Sequence, residues 1–306
     1  MRTLRLKAPA KINLYLRVVR KRSDGYHNIE TIFEKIDLCD QITLTKRKQG
    51  IKLICSDPAL AAELKAGQAD LPRNGQNLAA VAAAAIFAKA NYRAGIQIRI
   101  KKNIPVAAGL GGGSSDAASV LLGLNKLLNL KQTRRSLLTL AEQIGADVPF
   151  FILRDIRALG LGKGERLKAL SIKRNNWYIL VMPGGVSVST GRMYQKLRIA
   201  LTKRPSSAKI VIRALQEGNL TALNKYSYNS FESILLKKYK PVQKIKKALK
   251  TFGASATLVS GSGPCVFGVA QTRKEAMAIS AGLRATRDNS WRIIVTKTLS
   301  NSEKED

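Results

Sequence analysis

Acidic residues are scarce in this sequence: 20 Asp and Glu stand against 53 Lys and Arg in 306 residues, a formal net charge of +33. Such a chain meets anions of any kind readily. Histidine is scarcer still. His27 is the only one, which excludes a multi-histidine metal site and any choice among catalytic imidazoles. The three cysteines, Cys39, Cys55 and Cys265, are odd in number and far apart, without the close pairs of zinc or redox motifs, and read as reduced thiols. Aromatic residues make up 6%, too few for the interleaved stacking platforms of single-strand binders. No run approaches the ~18 to 20 apolar residues of a membrane span. Met1 to Arg5 is not followed by an apolar signal core. The expectation is a soluble, cytoplasmic protein with no membrane partner.

The positive charge is spread along the chain, in Arg17, Arg20, Lys21 and Arg22, in Lys46 to Lys48, in Lys131, Arg134 and Arg135, and in Lys244, Lys246 and Lys247. A basic arm of the nucleic-acid type is not evident. A solvated basic surface that favours anionic substrates is the first reading, and nucleic acid the second.

Hydrophobic residues at 45% and charged residues at 24% are globular proportions, and the length suits two domains. Alternation at Ile12, Leu14, Leu16 and Val18 and at Ile96, Ile98 and Ile100 marks half-buried strands. Between them lie β-like runs at Thr31 to Ile36, Gln41 to Leu44 and Ile51 to Cys55, then an alanine-rich helix from about Asn77 to Ala90. A helix with Ala117, Val120, Leu121, Leu124 and Leu128 on one face follows, with Ser114 or Ser115 as its N-cap, and another spans Thr133 to Ile144. From about Ile156 the pattern restarts, with strands at 177–182, 256–259, 265–269 and 291–296 and helices at 193–201, 207–216, 241–252 and 273–284. These elements predict an α+β, two-layer fold divided into residues 1–155 and 156–306.

Between the strand ending near Ile100 and the next helix runs Pro105, Val106, Ala107, Ala108, Gly109, Leu110, Gly111, Gly112, Gly113, Ser114, Ser115 and Asp116. Glycines let backbone N–H groups approach an anion closely, and the positive end of a helix dipole reinforces them. Ser114 and Ser115 can add hydroxyls to phosphate oxygens or to Mg²⁺. No lysine follows the last glycine, so this is not the common P-loop. A tight helix–strand packing corner is the alternative.

Together with Ala8-Pro9-Ala10-Lys11-Ile12-Asn13-Leu14 and Val259-Ser260-Gly261-Ser262-Gly263-Pro264-Cys265, this turn resembles the GHMP small-molecule kinases over nearly the whole chain. Within them, Asp24-Gly25-Tyr26-His27 and Gly145-Ala146-Asp147-Val148-Pro149 resemble the branch whose substrate is a cytidine diphosphate-linked methylerythritol. Ala107 and Ala108 replace glycines found in some relatives, and Ser260 stands where threonine is frequent.

The resemblance implies a kinase fold with a nucleotide-binding first domain related to a ribosomal-protein fold, and a cleft between domains. ATP with Mg²⁺ would be the phosphate source and a tertiary alcohol the acceptor, in the non-mevalonate route to isoprenoid precursors. It implies Asp147 as base or orienting acceptor and Lys11 as the cation that keeps it ionised. Without the motif, Asp147 is an ordinary turn residue, and the face that Lys11 shares with Asn13 is solvent or cleft. Residues 105–115, Lys102 and Asn77 are implied for ATP, with Ser115 a candidate Mg²⁺ ligand. Asn13, Tyr26, His27, Thr190 and Gly261 are implied for the acceptor, Tyr26 stacking on cytosine and His27 bonding its edge. The expected state is monomer or homodimer. The rivals are another GHMP kinase, of homoserine or mevalonate type, and a basic RNA-binding protein of related fold.

Overall fold

The computed structural model describes residues 2–56, 77–197, 207–286 and 290–300. Its first half is built on a long antiparallel ribbon, β1 (Thr3–Lys21) with β2 (His27–Arg47). The two β-like runs at 31–36 and 41–44 are thus one strand. Beyond β2, β4 (Gly95–Lys101) pairs with its second half and carries β3 (Ile51–Ser56), while β5 (Arg157–Gly162) pairs with its first half and carries β6 (Arg166–Ala169). Strands β5 and β6 lie past residue 155, so the first sheet runs further along the chain than the expected division. Glycines in Arg157-Ala158-Leu159-Gly160-Leu161-Gly162 hide the strand from pattern reading.

Helices α1 (Leu78–Lys89), α2 (Gly112–Leu128), α3 (Arg134–Ile144) and the short α4 (Val148–Ile152) cover one face of this sheet. Leu44, Ile98, Val120, Leu124 and Phe150 form the core beneath them. Burying such a side chain fully stabilises by roughly 1.5–3 kcal/mol, and this layer holds α2 rigidly against the ribbon.

The ribbon changes face partway along. Ala8 belongs to the helix-side core, whereas Ala10, Ile12 and Leu14 belong to the core on the opposite face. The switch is a register shift, Pro9 opposing Cys39 and Ala10 opposing Ile36. A bulge re-aims the side chains that follow it. Lys11 and Asn13 consequently turn to the helix side, where the glycine-rich turn lies.

The second sheet has the order β10-β7-β9-β8, from β7 (Trp177–Pro183), β8 (Ala256–Val259), β9 (Val266–Ala270) and β10 (Trp291–Lys297). One face packs Tyr178, Leu180, Leu258 and Phe267 against Ile12, Leu14, Ile32 and Ile36 of the ribbon. On the other lie Val242, Ile245 and Leu249 of α9 (Lys240–Thr251) and Ile279 and Leu283 of α10 (Arg273–Ala285). Four shorter helices precede α9: α5 (Thr190–Lys196), α6 (Ala208–Glu217), α7 (Leu220–Tyr226) and α8 (Glu232–Lys238). The expected helix at 193–201 is α5, starting earlier and ending at Lys196 with Leu197 extended; residues 198–201 lie outside those described. Buried Glu34 ties the sheets together, paired with Arg157 and accepting from Tyr178 Oη at 2.8 Å and Thr298 Oγ1 at 2.6 Å.

Candidate active site

The turn from β4 into α2 is shaped by two left-handed glycines, Gly109 (φ 79°) and Gly111 (φ 70°). A Cβ on Gly109 would stand 2.2 Å from the Ser260 carbonyl oxygen, so glycine here allows the segment at 259–265 to touch the glycine-rich turn. Ser260 Oγ fastens the contact by donating to the Gly109 carbonyl at 3.0 Å. Ala107 takes φ 55° without being glycine.

Helix α2 begins at Gly112 with Gly111 as N-cap and no side-chain cap. The expected serine cap is therefore absent: Ser114 and Ser115 sit inside the first turn. The reason is conformational, since Gly111 reaches a left-handed cap that serine disfavours. The consequence is chemical. The first N–H groups of a helix have no intrahelical acceptor, and with no hydroxyl closing them, those of Gly112, Gly113 and Ser114 stay available to an anion.

Beside this turn the bulged strand delivers Lys11. Its own N–H donates to the Leu110 carbonyl at 2.9 Å, which fixes strand to turn. Lys11 Nζ donates to Asn13 Oδ1 at 2.6 Å and lies 3.6 Å from Asp147 Oδ2. Asn13 in turn donates to Thr31 Oγ1 at 2.8 Å. Lys11 and Asn13 are buried, while the Asp147 side chain, 35% exposed, faces the opening. Asp147 comes from the bend preceding α4, whose Pro149 is pre-set for a helix start. A Cβ on Gly111 would press to 3.0 Å from Lys11 Cγ, so the turn and the lysine are mutually fitted.

Lys102 is held beneath the turn. Its ammonium bridges Asp40 and Asp116, at 2.7 Å from Asp116 Oδ2, and Asp40 Oδ1 accepts the N–H groups of Asn103 and Ile104 at 2.6 and 2.9 Å. Burial opposes charge on Lys102, but the two carboxylates outweigh it and raise its pKa. Burial pushes Asp116 up to about 7, with Lys102 opposing and Asp40 adding to the rise.

A cavity of about 1210 Å³ joins these parts. Lys11, Asn13, Tyr26, His27, Asn77, Lys102, residues 105–114, Asp147, Thr190 and Gly261 all line it. Asn77 does so as the N-cap of α1, its Oδ1 accepting from Ala79 N–H. Thr190 Oγ1 hydrogen-bonds Ser262 Oγ at 2.8 Å, tying α5 to the third motif. Ser115 is the exception: it is fully buried, absent from the cavity wall, and its Oγ has no hydrogen-bond partner among the described residues.

At the far end Tyr26 is 57% exposed, with Lys163 Nζ 4.7 Å from its ring centre. His27 stacks on Tyr194 with ring centres 4.9 Å apart and planes 26° from parallel. Burial and then the nearby charge of Lys21 lower the His27 pKa, favouring neutral imidazole with one donor and one acceptor nitrogen. Sequence reading missed Asp40, Lys163 and Tyr194. None lies in a motif, and an apolar-periodic helix gives no sign that one tyrosine faces a cleft.

No helix among the described residues is long and apolar enough to cross a membrane. Residues 77–155 match the GHMP kinases N terminal domain and 199–289 the GHMP kinases C terminal. The 4-diphosphocytidyl-2-C-methyl-D-erythritol kinase of Bacillus subtilis is 40% identical across 94% of this chain and 95% of its own length. That of Geobacter metallireducens is 39% identical across 98% of this chain and 100% of its own. A crystal structure of 4-(cytidine 5'-diphospho)-2C-methyl-D-erythritol kinase superposes with a TM-score of 0.80 at 31% identity, covering 97% of this chain and 100% of that one. The chain belongs to the 4-diphosphocytidyl-2-C-methyl-D-erythritol kinases, ATP-dependent small-molecule kinases of the GHMP superfamily.

Proposed function

We propose that this chain transfers the γ-phosphoryl group of ATP to the 2-hydroxyl of 4-diphosphocytidyl-2-C-methyl-D-erythritol, with Lys11 and Asp147 at the reacting atoms. The observation that carries this reading is the juxtaposition of three things in one cleft: an uncapped helix start, a Lys11–Asp147 pair 3.6 Å apart, and a Tyr26–His27 pair at the far wall.

A tertiary hydroxyl is a weak nucleophile, so alignment and charge stabilisation dominate such a transfer. The Asp147 carboxylate accepts the hydroxyl hydrogen and takes the proton as the oxygen attacks the γ-phosphorus, whose bond to the bridging oxygen breaks so that ADP leaves. Lys11, oriented by Asn13, stabilises the charge spread over the phosphoryl oxygens. The free amides at the start of α2 hold the phosphates, and Asn77 borders the adenine. On the acceptor side, Tyr26 stacks on the cytosine while His27, its face already occupied by Tyr194, hydrogen-bonds the base edge. Thr190 and Gly261 face the acceptor's diphosphate.

Mg²⁺ fits as a companion of the nucleotide. Among the described residues no group of three or more His, Cys, Asp or Glu is arranged to hold a metal, and Mg²⁺ commonly rides on phosphates with one or two protein oxygens. Ser114 and Asp147 offer oxygens in the cleft; Ser115 Oγ, buried and unpartnered, is a third candidate. Bound there, the metal supplies neutralisation of phosphate charge. The nucleotide half of the molecule, on this reading, extends through β6 at Ala169 rather than ending at residue 155.

The test is turnover of a panel of alcohols with ATP and Mg²⁺. Phosphorylation of the diphosphocytidyl compound, with homoserine and mevalonate inert, is expected; turnover of either of those two without the diphosphocytidyl compound overturns the assignment.

A further inference from the structure

The kinase chemistry leaves most of the positive charge unexplained, and part of it is ordered. The sheet formed by residues 3–7 of β1, 41–47 of β2, β4 and β3 buries one face under α1 and α2, through Leu44, Ile98 and Ile100. Alternation sends the other residues to the opposite face. There β1 presents Arg5 and Lys7 and β4 presents Arg99 and Lys101, all exposed. Between them β2 presents neutral Gln41, Thr43 and Thr45. The register puts Arg5, Thr43 and Arg99 in one row and Lys7, Gln41 and Lys101 in the next. With strands ~4.8 Å apart, these are two cationic ridges about 10 Å apart over a neutral hydrogen-bonding floor. Lys52 on β3 and Arg47 at the end of β2 extend them, both exposed.

None of these four segments contains an Asp or Glu, and none of the six cations forms an ion pair with a described residue. Mutual repulsion makes such a face a cost to the folded chain unless an anion offsets it. It is also distinct from the kinase cleft, which none of the six lines.

We propose that this sheet face docks the phosphate backbone of double-stranded RNA. Its chemistry selects among polyanions. Ile54 is the one apolar residue at these outward positions, and no aromatic is present, so the face has neither the wedge that an anionic membrane surface requires nor a platform for unstacked bases. No helix or arm rises from it among the described residues to enter a deep groove, as reading of DNA requires. An RNA duplex offers a wide, shallow minor groove lined with 2′-hydroxyls. Threonine and glutamine between two rows of cations match that pattern of hydroxyl and phosphate.

The probe is a fluorescein-labelled RNA duplex of about 20 base pairs, titrated with the full-length protein from 50 to 200 mM salt. The triple variant Arg5→Gln, Arg47→Gln, Arg99→Gln is compared with Lys240→Gln, Lys244→Gln, Lys247→Gln on α9, which removes equal charge elsewhere. The sheet variant should bind at least about tenfold more weakly at ~150 mM salt and lower the slope of log K against log salt by ~3, the α9 variant changing affinity less than about threefold. Unchanged kcat in both variants shows that each is folded. Equal losses in the two variants, or absence of duplex binding by the wild type at 50 mM salt, overturns the proposal. So does stronger binding to a DNA duplex of the same sequence, or to phosphatidylserine vesicles, lost in the same sheet variant.

Discussion

Lys102 Nζ lies 2.7 Å from Asp116 Oδ2, in a buried cluster completed by Asp40. The contact joins the residue that follows β4 to the second turn of α2, and through Asp40 to the N–H groups of Asn103 and Ile104, which lead into the glycine-rich turn. Lys102, expected to reach toward the nucleotide, lines the cleft and also, through its two carboxylate partners, holds the turn's shape. Removing it strands two buried carboxylates. Lys102→Met should cost about 3–5 kcal/mol at pH 7, read by urea denaturation. A loss under 1 kcal/mol would mean that the cluster carries little of the turn's rigidity.

The same cluster sets a pH dependence. Burial raises Asp116 to about 7, above the ordinary carboxyl value of ~3.9. Between those values the folded chain holds a proton that the unfolded chain releases, so this group's contribution to stability falls as pH rises from ~4 to ~7. Asp116→Asn removes that slope. The stability of the variant relative to wild type should therefore improve steadily across the window in denaturation at pH 4.5, 6 and 7.5. A difference independent of pH would show Asp116 ionised throughout.

A Cβ on Gly112 would stand 3.1 Å from Ile104 Cγ2 and 3.3 Å from Lys102 Nζ. Valine there crowds the amides at the start of α2. Gly112→Val is expected to weaken ATP binding by at least about tenfold, the larger side chain blocking close approach of phosphate. Calorimetric titration with a non-hydrolysable ATP analogue checks it, and unchanged affinity would move the phosphates elsewhere.

Tyr26 is exposed at the far wall of the cleft. Stacking of a base on an aromatic ring is worth ~1–3 kcal/mol. Tyr26→Ala should raise KM for the cytidyl substrate by roughly 10- to 100-fold, leaving kcat and KM for ATP within about twofold. Equal effects on both substrates would indicate a general distortion of the cleft.

Much of this was legible in the sequence, because periodicity and glycine spacing report local geometry. The alternation at Ile12 and Leu14, the alanine-rich α1 and the turn from Pro105 to Gly113 stand close to where the sequence put them. What escaped depends on contacts across the fold. The face of Lys11 was undecidable from alternation, since a bulge at Pro9 and Ala10 switches the ribbon's sides; a proline inside a strand was the one available hint. Ser115 looked like a cap, yet Gly111 caps by backbone conformation and the serine hydroxyl is buried inside the helix start. The Asp40 cluster joins residues far apart in sequence and carries no motif at all.

The central claim is that Asp147 serves the transfer itself and not the binding of nucleotide. Single-turnover phosphorylation by Asp147→Asn, measured beside its dissociation constant for ATP, tests this most directly. The account predicts a fall in the transfer rate of roughly 100-fold or more, the size of a lost general base, with ATP affinity within about twofold of wild type. A transfer rate near that of the wild type would contradict it.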